Sequence, residues 1–208
     1  MKTIRLVVAG TPGAGKSTFV RTISDIKVVD TESNTTDKLS QLKKKTTVAF
    51  DFGRLALPSS LHLNIYGAPG QARFNFMWDF LMENAQGYIL LIAAHRPSDF
   101  PYARYIHWFT KRRVQIPMLI GLTHIDHPEA RNSEEIIREL GYFDEKNRVP
   151  FIIVNPTDRT SVIKSLIALM MLIIAEDDGH KPLEAGEDNQ LIEPNFKSNF
   201  NSPWPRSG

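Results

Sequence analysis

The run GTPGAGKS, residues 10–17, fits the pattern G-x-x-x-x-G-K-[S/T] at every position. It follows the apolar stretch TIRLVVA (3–9), which predicts a buried strand, and leads into STFVRTI (17–23), which predicts a helix. This context constrains the fold severely. A strand must end in a tight backbone loop, and a helix must start immediately after it. The residue types suit a bound anion. Gly10, Gly13 and Gly15 let the backbone curl so that successive N–H groups face phosphate oxygens, and the following helix points its positive N-terminus at the same charge. In such a loop Lys16 sits on the β- and γ-phosphates, and the Ser17 hydroxyl faces a magnesium ion. Ala14 and Thr18 complete the expected phosphate contacts.

The remaining chain alternates short apolar runs with helix-period segments. Strands are predicted at 47–57, 61–66, 87–94, 116–123 and 149–155, with helices at 74–85, 100–113, 132–141 and 161–176. PSS (58–60) between the second and third strands predicts a hairpin, and the polar stretch 30–46 a long loop with or without a short helix. Continuous apolar strands alternating with helices predict an α/β fold, and GTPGAGKS between its first strand and helix makes it a P-loop NTPase fold. Its sheet would be six-stranded and mostly parallel, with one antiparallel edge strand and helices on both faces. In such sheets ligands bind beyond the carboxyl ends of the strands, so the loops after 3–9, 61–66, 116–123 and 149–155 are expected to share one surface.

With 208 residues, 42% of them hydrophobic, the chain suits one globular domain, expected over 1–175. From 176 the composition turns to Pro, Gly, Asn and acids, predicting a disordered acidic tail over 176–208. That tail holds seven acids and three bases, leaving 22 bases against 16 acids in the body. A mildly basic body suits a polyanionic ligand, while an overall net charge of +2 gives no nucleic-acid footprint. The absence of cysteine excludes disulfides, zinc-thiolate sites, prenylation and palmitoylation, and fits the cytoplasm. The longest apolar run, SLIALMMLIIA (165–175), falls short of the ~20 residues that span a bilayer. Neither a membrane span nor a lipid anchor is expected.

Further motifs follow in order: TTVAFDF (46–52), IYGAPGQARF (65–74), GLTHIDH (121–127) and VNPTD (154–158). Taken with GTPGAGKS, they make the chain resemble a small Ras-like GTPase over residues 1–175. The similarity extends to the prokaryotic branch that includes the gliding-motility (MglA-type) GTPases, which also carries P-G-Q without the third-motif aspartate. The resemblance implies a GTP/GDP switch of slow intrinsic turnover. It implies that Gly70 approaches the γ-phosphate, that Gln71 orients the attacking water, and that Lys16 serves catalysis beside them. Thr47 would join Ser17 on Mg²⁺, and Asp126 would pair with guanine. His124 would lie along the base, with Thr123 where the family has a loop-bracing asparagine. Asn155, Pro156 and Thr157 would form the loop that meets the base through backbone N–H, donated by Asn155 or Thr157. Gly67 has no carboxylate, which would leave the ion to Ser17, Thr47, phosphate oxygens and waters. GAP-like, exchange or effector proteins would engage residues 30–47 and 67–80.

Two alternatives stay open at this level: a nucleotide-binding scaffold with little or no catalysis, and a P-loop nucleoside or nucleotide kinase. Other candidates read as structural. His95 and Asp99 are expected to cap the next helix, Lys43–Lys45 to be a solvated charge run, and Arg54 and Arg73 to lie on the surface. The close spacing of His124, Asp126 and His127 disfavours a shared metal ion. Phe196, Phe200 and Trp204 are either part of an inert tail or a short docking motif.

Overall fold

The computed structural model describes residues 2–30, 50–71, 75–142 and 148–177. The elements run β1 (Lys2–Gly10), α1 (Lys16–Ile23), β2 (Val29–Asp30), β3 (Asp51–Leu57), β4 (Leu61–Gly67), α2 (Asn75–Glu83), β5 (Gly87–Ala93), α3 (Phe100–Lys111), β6 (Met118–Thr123), α4 (Ser133–Glu139), β7 (Phe151–Ile153) and α5 (Arg159–Asp177). They form one sheet of order β2-β3-β4-β1-β5-β6-β7. β1 pairs in parallel with β4 and β5, β5 with β6, and β6 with β7, whereas β3 runs antiparallel to both its neighbours.

The six expected strands are all present in this mixed, mostly parallel sheet. The two-residue β2 adds a seventh and covers β3, which was expected at the edge. So short a strand carries no periodicity to be read. The phosphate loop, by contrast, emerges from the central strand, where every residue of Leu6–Gly10 is buried.

Alternation along the strands divides the core in two. Val7, Ala9, Leu90, Ile92, Ile120 and Leu122 pack with side chains of α2, α3 and α4. Leu6, Val8, Ile89, Leu91 and Leu119 pack with α1 and α5. β5 and β6 are buried along their whole length, as strands covered on both faces must be. The expected hairpin forms, with Ser59 and Ser60 at φ 63° and 57° in its turn. Asn132 caps α4, its side chain accepting from the Glu135 N–H at 2.9 Å. Asp99, by contrast, makes no side-chain cap to α3 and instead pairs with Arg96 Nε at 3.0 Å. An adjacent guanidinium outcompetes the backbone N–H for that carboxylate. No helix among the described residues is long and apolar enough to cross a membrane. The α5 helix reaches Asp177, and the tail expectation from 178 onward lies outside the described residues, as do Thr47, Lys43–Lys45, Arg73 and Phe74.

Trp78 ties α2 to the loop after β4. Trp78 is fully buried, meets Phe109 edge-on at 5.7 Å between centroids, and donates its indole N–H to the Pro69 carbonyl at 3.0 Å. Trp78→Phe keeps most of the apolar volume but leaves that carbonyl without its donor. A loss of about 1–3 kcal/mol is expected in equilibrium urea unfolding. Trp78→Ala should cost about 3–5 kcal/mol, because it also opens a cavity.

Candidate functional site

The loops beyond the carboxyl ends of β1, β4, β5, β6 and β7 converge on residues 10–17. Gly10, Gly13 and Gly15 have φ of 144°, 76° and 92°, values that only glycine adopts readily, so the loop curls as its composition demands. Ala14 is buried beneath it, and Ser17 and Thr18 are exposed in the first turn of α1.

Lys16 is the buried cation at the centre. Its ammonium donates to the Thr11 carbonyl at 2.7 Å, folding the side chain back over the loop. Burial pushes its pKa down to about 8, and the negative charge of Asp51 opposes that shift.

The turn after β4 lies directly on this lysine. A Cβ added at Gly70 would stand 2.6 Å from Lys16 Nζ and 2.9 Å from the Pro12 nitrogen, so only glycine permits the approach. The Ala68 N–H donates to the Val8 carbonyl at 2.9 Å and pins the turn to β1. Gln71, the next residue, is exposed. The expected neighbourhood of Gly70, Lys16 and the phosphate loop is therefore present.

Thr123, fully buried at the end of β6, donates its hydroxyl to the Ala14 carbonyl at 3.1 Å. It braces the phosphate loop against β6, the part expected of an asparagine there. His124 follows at φ 56°, with Nδ1 2.9 Å from that hydroxyl. Its ring lies 4.8 Å from His95, which stacks on His127 at 4.4 Å. Burial, then the neighbouring His124 and His127, hold the His95 imidazole below its ordinary pKa. Among the described residues no group of three or more His, Asp or Glu is arranged to hold a metal ion. Asp126 is exposed in the same loop.

Pro156 packs on the phosphate loop from the other side, its Cγ 2.7 Å from where a Cβ on Gly15 would be. Its carbonyl accepts from the Thr22 hydroxyl at 2.7 Å. The two backbone donors expected to meet a base are engaged by the first turn of α5 and by the loop itself. Asn155 N–H donates to Ser161 Oγ at 2.9 Å, and Thr157 N–H to Asn155 Oδ1 at 3.0 Å. Either donor must exchange its partner to reach a ligand.

Two residues of this region escape a motif search. Arg96, three residues past the end of β5, donates Nη1 to the Pro12 carbonyl at 2.9 Å, and its Nη1 would lie 2.7 Å from a Cβ on Gly13. Its position just past a strand's carboxyl end was the available signal. Asp51 is the register partner of Gly67, and its carboxylate covers that glycine. Arg54, expected on the surface, is exposed and donates Nε to Asn64 Oδ1 at 3.0 Å. The Ser17 hydroxyl and the Asp51 carboxylate beside the loop are hard oxygen donors of the kind magnesium takes, so the residues present fit that ion.

Residues 8–176 match the sequence profile of a family described as "Conserved hypothetical ATP binding protein". A search of curated proteins finds no match. The profile spans the phosphate loop and every other loop of the site, and it corrects the resemblance to the small Ras-like, MglA-type GTPases. The features behind that resemblance, a glycine-rich loop, a P-G-Q turn and an aspartate after β6, are too short to separate one P-loop family from another. At the discriminating positions this chain carries Gly67, Thr123 and His124 instead. The protein binds nucleotide, and by the extent of the match it belongs to the family of conserved hypothetical ATP-binding proteins.

Proposed function

We propose that this protein is a nucleotide-operated switch that binds GTP, hydrolyses it slowly to GDP and phosphate, and presents different surfaces to partner proteins in the two states. The single observation that supports this best is the contact between Gly70 and Lys16. A turn touching the phosphate-binding ammonium feels directly whether a γ-phosphate is present. Trp78 then carries any shift of the turn into α2 through the Pro69 carbonyl. A ligand-dependent change needs such a differential contact.

In this mechanism Lys16 exchanges the Thr11 carbonyl for β- and γ-phosphate oxygens, a stronger charge-assisted bond. The curled backbone of residues 10–15 donates N–H groups to the same phosphates. Gly70 N–H bonds the γ-phosphate, and Gln71 orients the water that attacks it. Ser17 would hold a magnesium ion bound with the nucleotide, and the ion would neutralise charge on the triphosphate. Partner proteins meet residues 30–47 and 67–80. Guanine is favoured because Asp126 follows the Thr123 brace, where a carboxylate can accept two donors that adenine lacks. The family's description favours adenine and is the competing reading.

Titration with fluorescent GTP, GDP and ATP analogues separates the two bases. GTP should bind at least about tenfold tighter than ATP, and Asp126→Ala should weaken GTP alone by roughly 10–100-fold. Tighter ATP binding sinks the guanine assignment. For hydrolysis, Gln71→Ala should slow single turnover by roughly a hundredfold while affinity holds. An unchanged rate removes Gln71 from its role.

Lys16 also sets a pH dependence. In nucleotide-free protein it loses its proton near pH 8, whereas phosphate contact favours the charged form and raises that pKa. Above pH 8, binding therefore takes up a proton. Affinity should fall by up to about tenfold per pH unit above 8, with no contribution from this group well below it. Calorimetry at pH 9 in two buffers of different ionisation enthalpy reads the uptake, which should vanish in Lys16→Met.

A further inference from the structure

We propose that Asp51 supplies the carboxylate that position 67 lacks, and holds the magnesium ion that accompanies the bound nucleotide. This rests on the nucleotide-binding function argued above. The hairpin carries the argument. Asp51 and Gly67 are direct partners in the β3–β4 ladder, so their side chains belong to the same face of the sheet. A Cβ added at Gly67 would lie 3.2 Å from both the Cβ and Oδ2 of Asp51. The carboxylate thus occupies the space that a side chain from position 67 would use. Glycine at 67 and aspartate at 51 form one arrangement: the first makes room for the second.

The surroundings fit a cation. The same Cβ at Gly67 would lie 3.4 Å from Val20 Cγ2. Val20 is three residues after Ser17 on α1, so the Ser17 hydroxyl sits on the same helix face, one turn nearer the phosphate loop. Asp51 is also near enough to Lys16 for its charge to act on the ammonium. These contacts set the carboxylate against the first turns of α1, the helix that carries the hydroxyl and the phosphate-binding lysine. A merely structural role would rest on Arg21, whose Nη2 is 3.9 Å from Asp51 Oδ1 and whose side chain is 59% exposed. So long and solvated a pair contributes little.

The test is release of fluorescent GTP and ATP analogues, measured in excess magnesium and in excess EDTA. In the unaltered protein magnesium should slow release. Asp51→Ala should lose about tenfold or more of that slowing, while its rate in EDTA, which reads only the field of Asp51 on Lys16, changes far less. Should Asp51→Ala fail to fold, Asp51→Asn retains the volume and carries the same expectation. Arg21→Ala should keep the full magnesium effect. The double change Asp51→Gly with Gly67→Asp should restore it, because the carboxylate returns to the same space from the neighbouring strand. An undiminished magnesium effect in Asp51→Ala overturns the assignment, and so does equal acceleration with and without the metal. Unaltered protein that binds neither analogue sinks the nucleotide function itself, and this assignment with it.

Discussion

A buried lysine ammonium organises this molecule. Burial of a cation is unfavourable unless polar groups surround it. Lys16 answers that demand with the Thr11 carbonyl and the field of Asp51. The answer is incomplete, since burial still holds the ammonium far below the ordinary lysine range. Phosphate oxygens offer this group a better partner than a neutral carbonyl does, so the lysine's unfavourable burial becomes a driving force for binding. Around it the fold supplies rigidity. β1 is the central strand, the Thr123 hydroxyl braces the loop from β6, Pro156 packs against it from the loop after β7, and Arg96 bonds it from beyond β5. A loop held at so many points keeps its curl, and the ammonium is delivered to a defined position.

Much of this could be read from the residues alone because it follows from local rules. GTPGAGKS fixes a strand, a loop and a helix together, and the continuous apolar runs of β5 and β6 require cover on both faces. From the sheet's parallel core comes the convergence of loops on one surface. The failures are equally physical. β2 is too short to have a period. Asp99 could bond either a backbone N–H or a neighbouring guanidinium, and composition does not choose between them. Whether Asn155 and Thr157 point their N–H groups outward depends on Ser161 and on the Asn155 side chain closing the loop on itself. Family was misjudged because short phosphate-binding motifs answer to the phosphate, which is common to many families, and only weakly to the rest of the ligand.

The carboxylate absent from position 67 has a counterpart across the hairpin. Along β4 alone, Gly67 leaves the site without a carboxylate; the register of the hairpin supplies one from β3. Leu57 pairs with Leu61 across the PSS turn, and stepping back along β3 and forward along β4 by equal counts sets Asp51 opposite Gly67. Antiparallel strands make such a substitution feasible in a way that parallel strands do not. A short turn holds the two positions in register, and directly opposed side chains share one face a few ångströms apart. A carboxylate moved across the ladder stays near the same space, provided its old position gives up its side chain. Gly67 meets that condition, and a side chain left there would crowd both Asp51 and Val20. What a ligand meets is the position of oxygen atoms in space, and a fold can deliver the same oxygen from either strand of a hairpin. A motif read along a single strand therefore underestimates what a sheet can place at its edge.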